Sequence, residues 1–366
     1  MDIQKHTGIY ATSGDVRTAV DSGVLHNPYI AIVQDGNYLD WNGGSSPTPP
    51  VPPEPVYSAM PLTFEIISGG TITWRATSTA FTKDIQYSKD NGATWTSITS
   101  STGGTQINVN AGDKVLFKGD NATYGTSNSR FNTFSGSTAK FEVEGNIMSL
   151  INSTGFTTAT TLTSKMTFYR FFQECRGLTS AENLVLPATT LAQSCYQNMF
   201  YNCTSLTTAP DLPATTLANE CYAQMFCSCA TLTTAPELPA TTLAYRCYSD
   251  MFASCTSLTT APELPVTTLA EGCYLAMFTR CTSLTTAPDL PATTLANECY
   301  YNMFAKCSSL NYIKCLATDI SASNCTTYWV ETVAASGTFV KNPAMSSWPT
   351  GFDGIPEGWT VIDAEL

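Results

Sequence analysis

"CYAQMFCSCATLTTAPELPATTLAYR", residues 221–246, recurs along the C-terminal part of the chain. Its frame Cys-Tyr-x-x-Met-Phe-x-x-Cys begins at 195, 221, 247, 273 and 299, and Leu-Pro falls at 186, 212, 238, 264 and 290, so one unit occupies 26 residues. Self-similarity at a fixed interval of this length predicts a solenoid whose coils bury their apolar faces on one another. Within a unit, Leu217, Cys221, Met225 or Phe226, and Cys229 follow one another at about four residues, a spacing that reads as the stripe of a short helix. Leu232, Ala235 and Leu238 continue the interior through an extended segment that Pro236 and Pro239 terminate. The reading for residues 150–366 is therefore an α/β solenoid, with small residues at each helix–strand contact letting coils stack about 4.8 Å apart. A degraded first turn carries Phe171, Phe172 and Cys175, with two extra residues before Met199, Phe200 and Cys203. At the other end Trp329 takes the place of Met303, and residues 337–361 read as a cap.

Three cysteines in nine residues invite a metal or redox reading. Tetrathiolate zinc needs paired short spacings, whereas the recurrent gaps here are 8 and 18, and the two histidines, His6 and His26, lie far from the array. Equivalent thiols in successive coils come within reach of a disulfide, but linking them distorts a uniform stack and needs an oxidising compartment. Cysteine is also a small, commonly buried hydrophobe. The expectation is packing: no metal, no cofactor and no catalytic residue. Cys227 departs from this, because its slot holds Tyr201, Ala253, Thr279 and Ala305 in other units, and it reads as an accessible free thiol.

Three further regimes precede the array. Residues 1–42 read as a small α+β anchoring module: a brief helix over "TSGDVRTAVDSG" capped by Thr12 or Ser13, then a hairpin about Asp35-Gly36. So short a segment buries little surface and implies a partner or oligomerisation. Residues 43–56, "GGSSPTPPVPPEPV", are a Pro-rich linker. Residues 57–149 show short alternating strands with turn signals at Asn91-Gly92 and Gly103-Gly104, which predicts an all-β immunoglobulin-like sandwich. The chain is thus read as multidomain. Only 13% of its 366 residues are charged, and the net charge of −12 leaves no clustered Lys and Arg for nucleic acid. The N-terminus lacks an apolar signal core, no cysteine precedes Cys175, and no apolar run is long enough to insert into a membrane.

The unit "MFxxCTSLTTAPELPATTLAxxCY" resembles the BspA-type leucine-rich repeat over residues 165–335 or so. "KFEVEGNIMSLI" before the array and "GTFVKN…GIPEGWTV" after it are similar to the edges of such arrays in gut Gram-negative anaerobes and their phages. "GIYATSGDVRTAVDSGVLHNPYIAIVQDG" resembles the leading segment of phage virion proteins. The resemblance implies a binding module. The expectation it carries is a non-enzymatic head fibre or capsid decoration on the virion surface, held to a capsid or other virion protein through residues 1–42. The repeats would then meet a host surface protein or glycan, and the particle's symmetry would favour a homo-oligomer. The alternative is an adhesin on the bacterial cell surface.

Three sets of residues are candidates for contact. Asp211, Glu237, Glu263 and Asp289 share one slot and predict a carboxylate column, solvated or weakly binding divalent cations. Threonine pairs at 207–208, 233–234, 259–260 and 285–286 predict hydroxyl ladders that cap hydrogen bonds or face carbohydrate. Slots that vary between units place Tyr201, Tyr245, Arg246, Asp250, Arg280, Tyr301 and Lys306 as a candidate ligand-binding surface, Tyr and Arg being enriched where binding energy concentrates.

Overall fold

The computed structural model describes residues 31–32, 38–39 and 56–365. The chain divides into two compact units, Met1–Val56 and Tyr57–Leu366. In the first, β1 (Ala31–Ile32) pairs antiparallel with β2 (Tyr38–Leu39), Ala31 opposite Leu39. The turn at Asp35-Gly36, the helix expected near residues 12–23 and nearly all of the Pro-rich linker lie outside the described residues.

The second unit opens with the strands that the alternating stretches predict: β3 (Leu62–Ser68), β4 (Gly70–Ala76), β5 (Asp84–Ser88), β6 (Thr96–Thr99), β7 (Thr105–Val109) and β8 (Lys114–Lys118). Two strands without clear alternation follow, β9 (Gly125–Ser127) and β10 (Arg130–Thr133), and then β11 (Lys140–Asn146). One sheet runs β7-β4-β10-β9. The other contains β11-β3-β8-β5-β6, and aromatic rings fill the space between them: Phe64 and Trp74, one from each sheet, both lie 4.8 Å from Phe134. The larger sheet extends beyond the 57–149 segment. β11 also pairs in parallel with β12 (Leu178–Ser180) and β13 (Leu184–Val185), which belong to the first coil of the array. The larger sheet is therefore mixed, and a single buried core continues from Leu62 to Trp359.

The α/β expectation for the array is overturned: among the described residues the only helices are 3₁₀ turns of three or four residues, while of the α+β module expected over residues 1–42 only β1 and β2 lie within the described residues. The stretch read as a helix is a ribbon of overlapping turns. Gln197, Met199 and Tyr201 donate their N–H groups within the coil to the third carbonyl back, at 3.0–3.2 Å. Tyr196, Asn198 and Phe200, which alternate with them, donate to Cys221, Ala223 and Met225 of the next coil at 2.9–3.0 Å. Every fourth residue takes a left-handed backbone, as at Ser194, Asn198 and Asn202 and again at Glu220, Gln224 and Ser228.

Distance gives the physical reason. Packed α-helices keep their axes 8–10 Å apart, but rings at equivalent positions of adjacent coils stack at 5.4–6.2 Å. Coils that close must share backbone hydrogen bonds, and a helix has none to share because it spends every N–H internally. The spacing is consistent with this. A strict interval of four drifts about 40° per step on an α-helix, whereas on a ribbon with a four-residue unit it stays on one face.

Parallel bridges hold the rest of each coil, for example Thr216 with Thr242 and Thr234 with Thr260. Both ends are closed by rings. One column runs Tyr124, Phe168, Tyr196, Tyr222, Tyr248, Tyr274, Tyr300, Trp329 and Trp348, and a second runs from Phe134 through Phe172 to Phe304. The first ring of each comes from the two-sheet region, which thereby serves as the N-terminal cap. At the far end β14 (Tyr312–Cys315), β15 (Thr338–Lys341) and β16 (Thr360–Asp363) form a parallel three-stranded sheet, with β16 on its edge.

Candidate functional site

The thiols are the repeat's most reactive side chains. All fourteen are unbonded, and thirteen are buried. Those at 203, 229, 255, 281 and 307 each donate a hydrogen bond, at 2.9–3.1 Å, to the carbonyl of Phe172, Phe200, Phe226, Phe252 or Phe278 in the preceding coil. They latch coils together as well as filling space. Burial pushes the thiols of Cys195, Cys247, Cys299, Cys307 and Cys315 up to about 12. Cys227 is half-buried, and burial again raises it, to about 11, against a smaller lowering by Ser228. At neutral pH it is a protonated thiol, not a nucleophile. Among the described residues no three His, Cys, Asp or Glu side chains converge as a metal would require.

The acidic slot is exposed in all four coils. Asp211 lines a shallow groove with Tyr57, Glu182 and Pro213, and Glu237 and Glu263 line another between Pro236, Pro239, Pro262 and Pro265. Asp289 is not free for a cation, since Lys314 Nζ sits 2.6 Å from its carboxylate. Thr207 and Thr259, exposed members of the threonine pairs, donate their hydroxyls to the carbonyls of Thr179 and Thr233 in the coil before.

The variable-slot residues all lie on the turn ribbon. Arg246, Asp250, Arg280 and Lys306 occupy left-handed positions; Arg280 and Lys306 are exposed, Arg246 and Asp250 half-buried. Tyr201, Tyr245 and Tyr301 precede or lie between such positions and are half-buried. The structure groups only some of these residues. Arg246 lies over the Tyr245 ring and reaches across the next coil to Glu298, 2.6 Å from its Nη2. Its path crosses Gly272, where a Cβ would stand 2.8 Å from Arg246 Cγ. Asp250 is held above the usual carboxylate range by burial, against lowering by the Ser249 hydroxyl at 2.8 Å and by Arg246. Lys306 pairs with Glu331 at 3.6 Å, while Arg280 is exposed and makes no ion pair among the described residues. Sequence reasoning missed Glu298 and Lys314 as partners. The signal for Glu298 was its distance of 52 residues, two full repeats, with the one glycine of that slot midway.

A further hollow of about 310 Å³ opens at the C-terminal end, among Val330, Val333, Ala335, Phe352, Pro356 and Glu357. No family model matches the chain, and no curated protein or solved structure matches it.

Proposed function

We propose that this protein is a non-enzymatic virion component, a head fibre or capsid decoration, whose N-terminal unit mounts it on the particle and whose coils present a binding surface to host protein or glycan. The observation that carries the reading is the use of the repeat's reactive groups. Thiols, thioethers and rings are consumed by stacking, thiols are held protonated, and several residues that vary from coil to coil, among them Arg246, Arg280 and Lys306, are charged and half-buried or exposed. A scaffold that keeps its interior constant and changes its outer slots suits recognition. Separation of the chain into Met1–Val56 and Tyr57–Leu366, joined through proline-rich sequence, suits a mount and a displayed part. The resemblance of residues 1–42 to leading segments of virion proteins supports the particle over the cell surface.

Electron microscopy of virions with an antibody against residues 150–366 tests this reading. Label at regular capsid positions is the expected result. Label on uninfected bacterial surfaces instead would favour the adhesin, and turnover of a polysaccharide by the purified chain would remove the non-enzymatic assignment.

A further inference from the structure

The array has polarity. Each ribbon coil donates alternate N–H groups forward and accepts from the coil before. At its start, the carbonyls of Met166, Thr167 and Phe171 are met by Thr123 Oγ1, Tyr124 N and Phe134 N of the two-sheet region. Within the array every forward donor of a coil is met: Glu298, Tyr300, Asn302, Phe304 and Lys306 donate to Ser323, Cys325, Thr327, Trp329 and Glu331. The last ribbon coil is different. Tyr328 N finds Asp353 and Val330 N finds Phe352 O, but the N–H groups of Asn324 and Thr332 have no partner among the described residues.

Two other features share this end. The hollow between Val330–Ala335 and Gly351–Glu357 is walled mainly by apolar groups, and beside it Phe352 is 57% exposed and Tyr328 47%. Strand β16, paired among the described residues only with β15, exposes Val361 at 43% and Ile362 at 47% on an edge open among those residues. Singly exposed apolar residues are ordinary, but several around one hollow and one unpaired edge mark an interaction surface. The charge beside them is one-sided. Asp353, Glu357 and Glu365 are exposed and make no ion pair among the described residues, Asp353 accepting the Tyr328 N–H, while Lys306 and Lys341 are already engaged by Glu331 and Asp363.

We infer that the C-terminal end of the coil stack is a docking face for an extended, basic segment of another protein, which seats an apolar side chain in the hollow and lays its backbone along the open edge. Unpaired N–H groups call for carbonyl acceptors, which an extended backbone supplies. A second copy of this chain is the poorer occupant, because self-pairing would bring the same carboxylates face to face. The assignment goes beyond the particle-mounting reading and holds whether or not the chain sits on a virion.

The test uses the full chain and a random library of 12-residue displayed peptides as the probe. Selected peptides are expected to carry net positive charge and at least one large apolar residue. They should lose tenfold or more in affinity for Phe352→Ser and for Glu357→Lys, both exposed sites, with thermal midpoint and near-ultraviolet circular dichroism unchanged. Glu237→Lys, on the acidic column, should leave binding intact. Failure to select saturable binders, selection of acidic peptides, or equal weakening by Glu237→Lys would each overturn the assignment. So would self-association of the free chain that Phe352→Ser abolishes, since the occupant would then be a second copy.

Discussion

Cys299 illustrates what the repeat asks of a single residue. Cys299 is buried, in surroundings that disfavour a charge, and a thiol suits them while it stays protonated. The consequence is a pH dependence of defined sign. Folded, the thiols at 195, 247, 299, 307 and 315 hold their protons to about 12, against 9 for an ordinary thiol. Their stabilisation is intact below pH 9. Above it the unfolded chain releases protons that the folded chain keeps, so stability falls as pH rises toward 12, by on the order of 1 kcal/mol per pH unit for each thiol. Thermal midpoints recorded under reducing conditions from pH 8 to 10.5 should drop progressively, and Cys299→Ala should flatten the slope; a profile that stays level would contradict the burial assigned here. Gly272 is the opposite case, a residue chosen for what it lacks. Other coils fill its left-handed slot with Ser194, Glu220 and Glu298, so backbone freedom is not its reason. Room for the Arg246 side chain is. Gly272→Ser should cost about 0.5–1 kcal/mol by displacing the half-exposed Arg246–Glu298 pair, and much less in an Arg246→Ala background. A urea double-mutant cycle reads the difference, and equal costs in both backgrounds would remove the strap. Packing by cysteine was legible in the sequence because the residue type and its interval suffice. The strap was not, because its two ends lie two coils apart and only the stack brings them into line.

At the scale of the element, the ribbon replaces the helix, and the sequence carried the distinction in a form that is easy to misread. Intervals of four and of 3.6 differ by little over nine residues, so Cys221, Met225 and Cys229 satisfy either template. Ring spacing across coils, invisible before the coils are stacked, decides it. The two-sheet region was read more fully: strands β3 to β8 and β11 fall where alternation and turn residues place them, while β9 and β10 lack alternation and were missed. Purified protein should accordingly show a far-ultraviolet spectrum without the paired minima of α-helix. The ribbon's left-handed positions also make an engineering prediction. Ala276 sits at φ 51°, where an L side chain costs about 1–2 kcal/mol relative to its ordinary conformation. Ala276→Gly should therefore stabilise the fold by up to about 1 kcal/mol. Ala253, also buried but outside the left-handed set, should lose stability on the same change. Denaturation midpoints that move in the same direction for both variants would rule out the ribbon geometry.

For the whole molecule, the consequence is modularity with a fixed phase. Each coil touches its neighbours through two ring columns, a thiol latch and alternate backbone hydrogen bonds, all of which repeat after 26 residues, so the stack behaves as a sum of coil terms and coil–coil terms. Deleting residues 196–221 joins Cys195 to Tyr222 and removes one complete period. Every remaining ring then finds a ring, Phe172 meets Phe226 where it met Phe200, and both end caps are kept. The loss is one coil's burial and local contacts such as the Ser194–Glu220 hydrogen bond. That variant should fold cooperatively with a modestly lower midpoint. Deleting 196–220 instead removes one residue fewer and leaves Cys195 followed by Cys221. Tyr222 then no longer falls on the Tyr slot, and the alternation of inward and forward N–H groups is reversed on one side of the junction. Because the buried N–H groups so stranded cost about 1–3 kcal/mol each, this one-residue difference should separate a folded protein from one that fails to form its array. Hydrogen exchange reads the outcome directly. Protection through residues 222–310 in the first variant and its loss in the second is the expected result, and equal protection in both would mean that the coils are not held in phase by the contacts described.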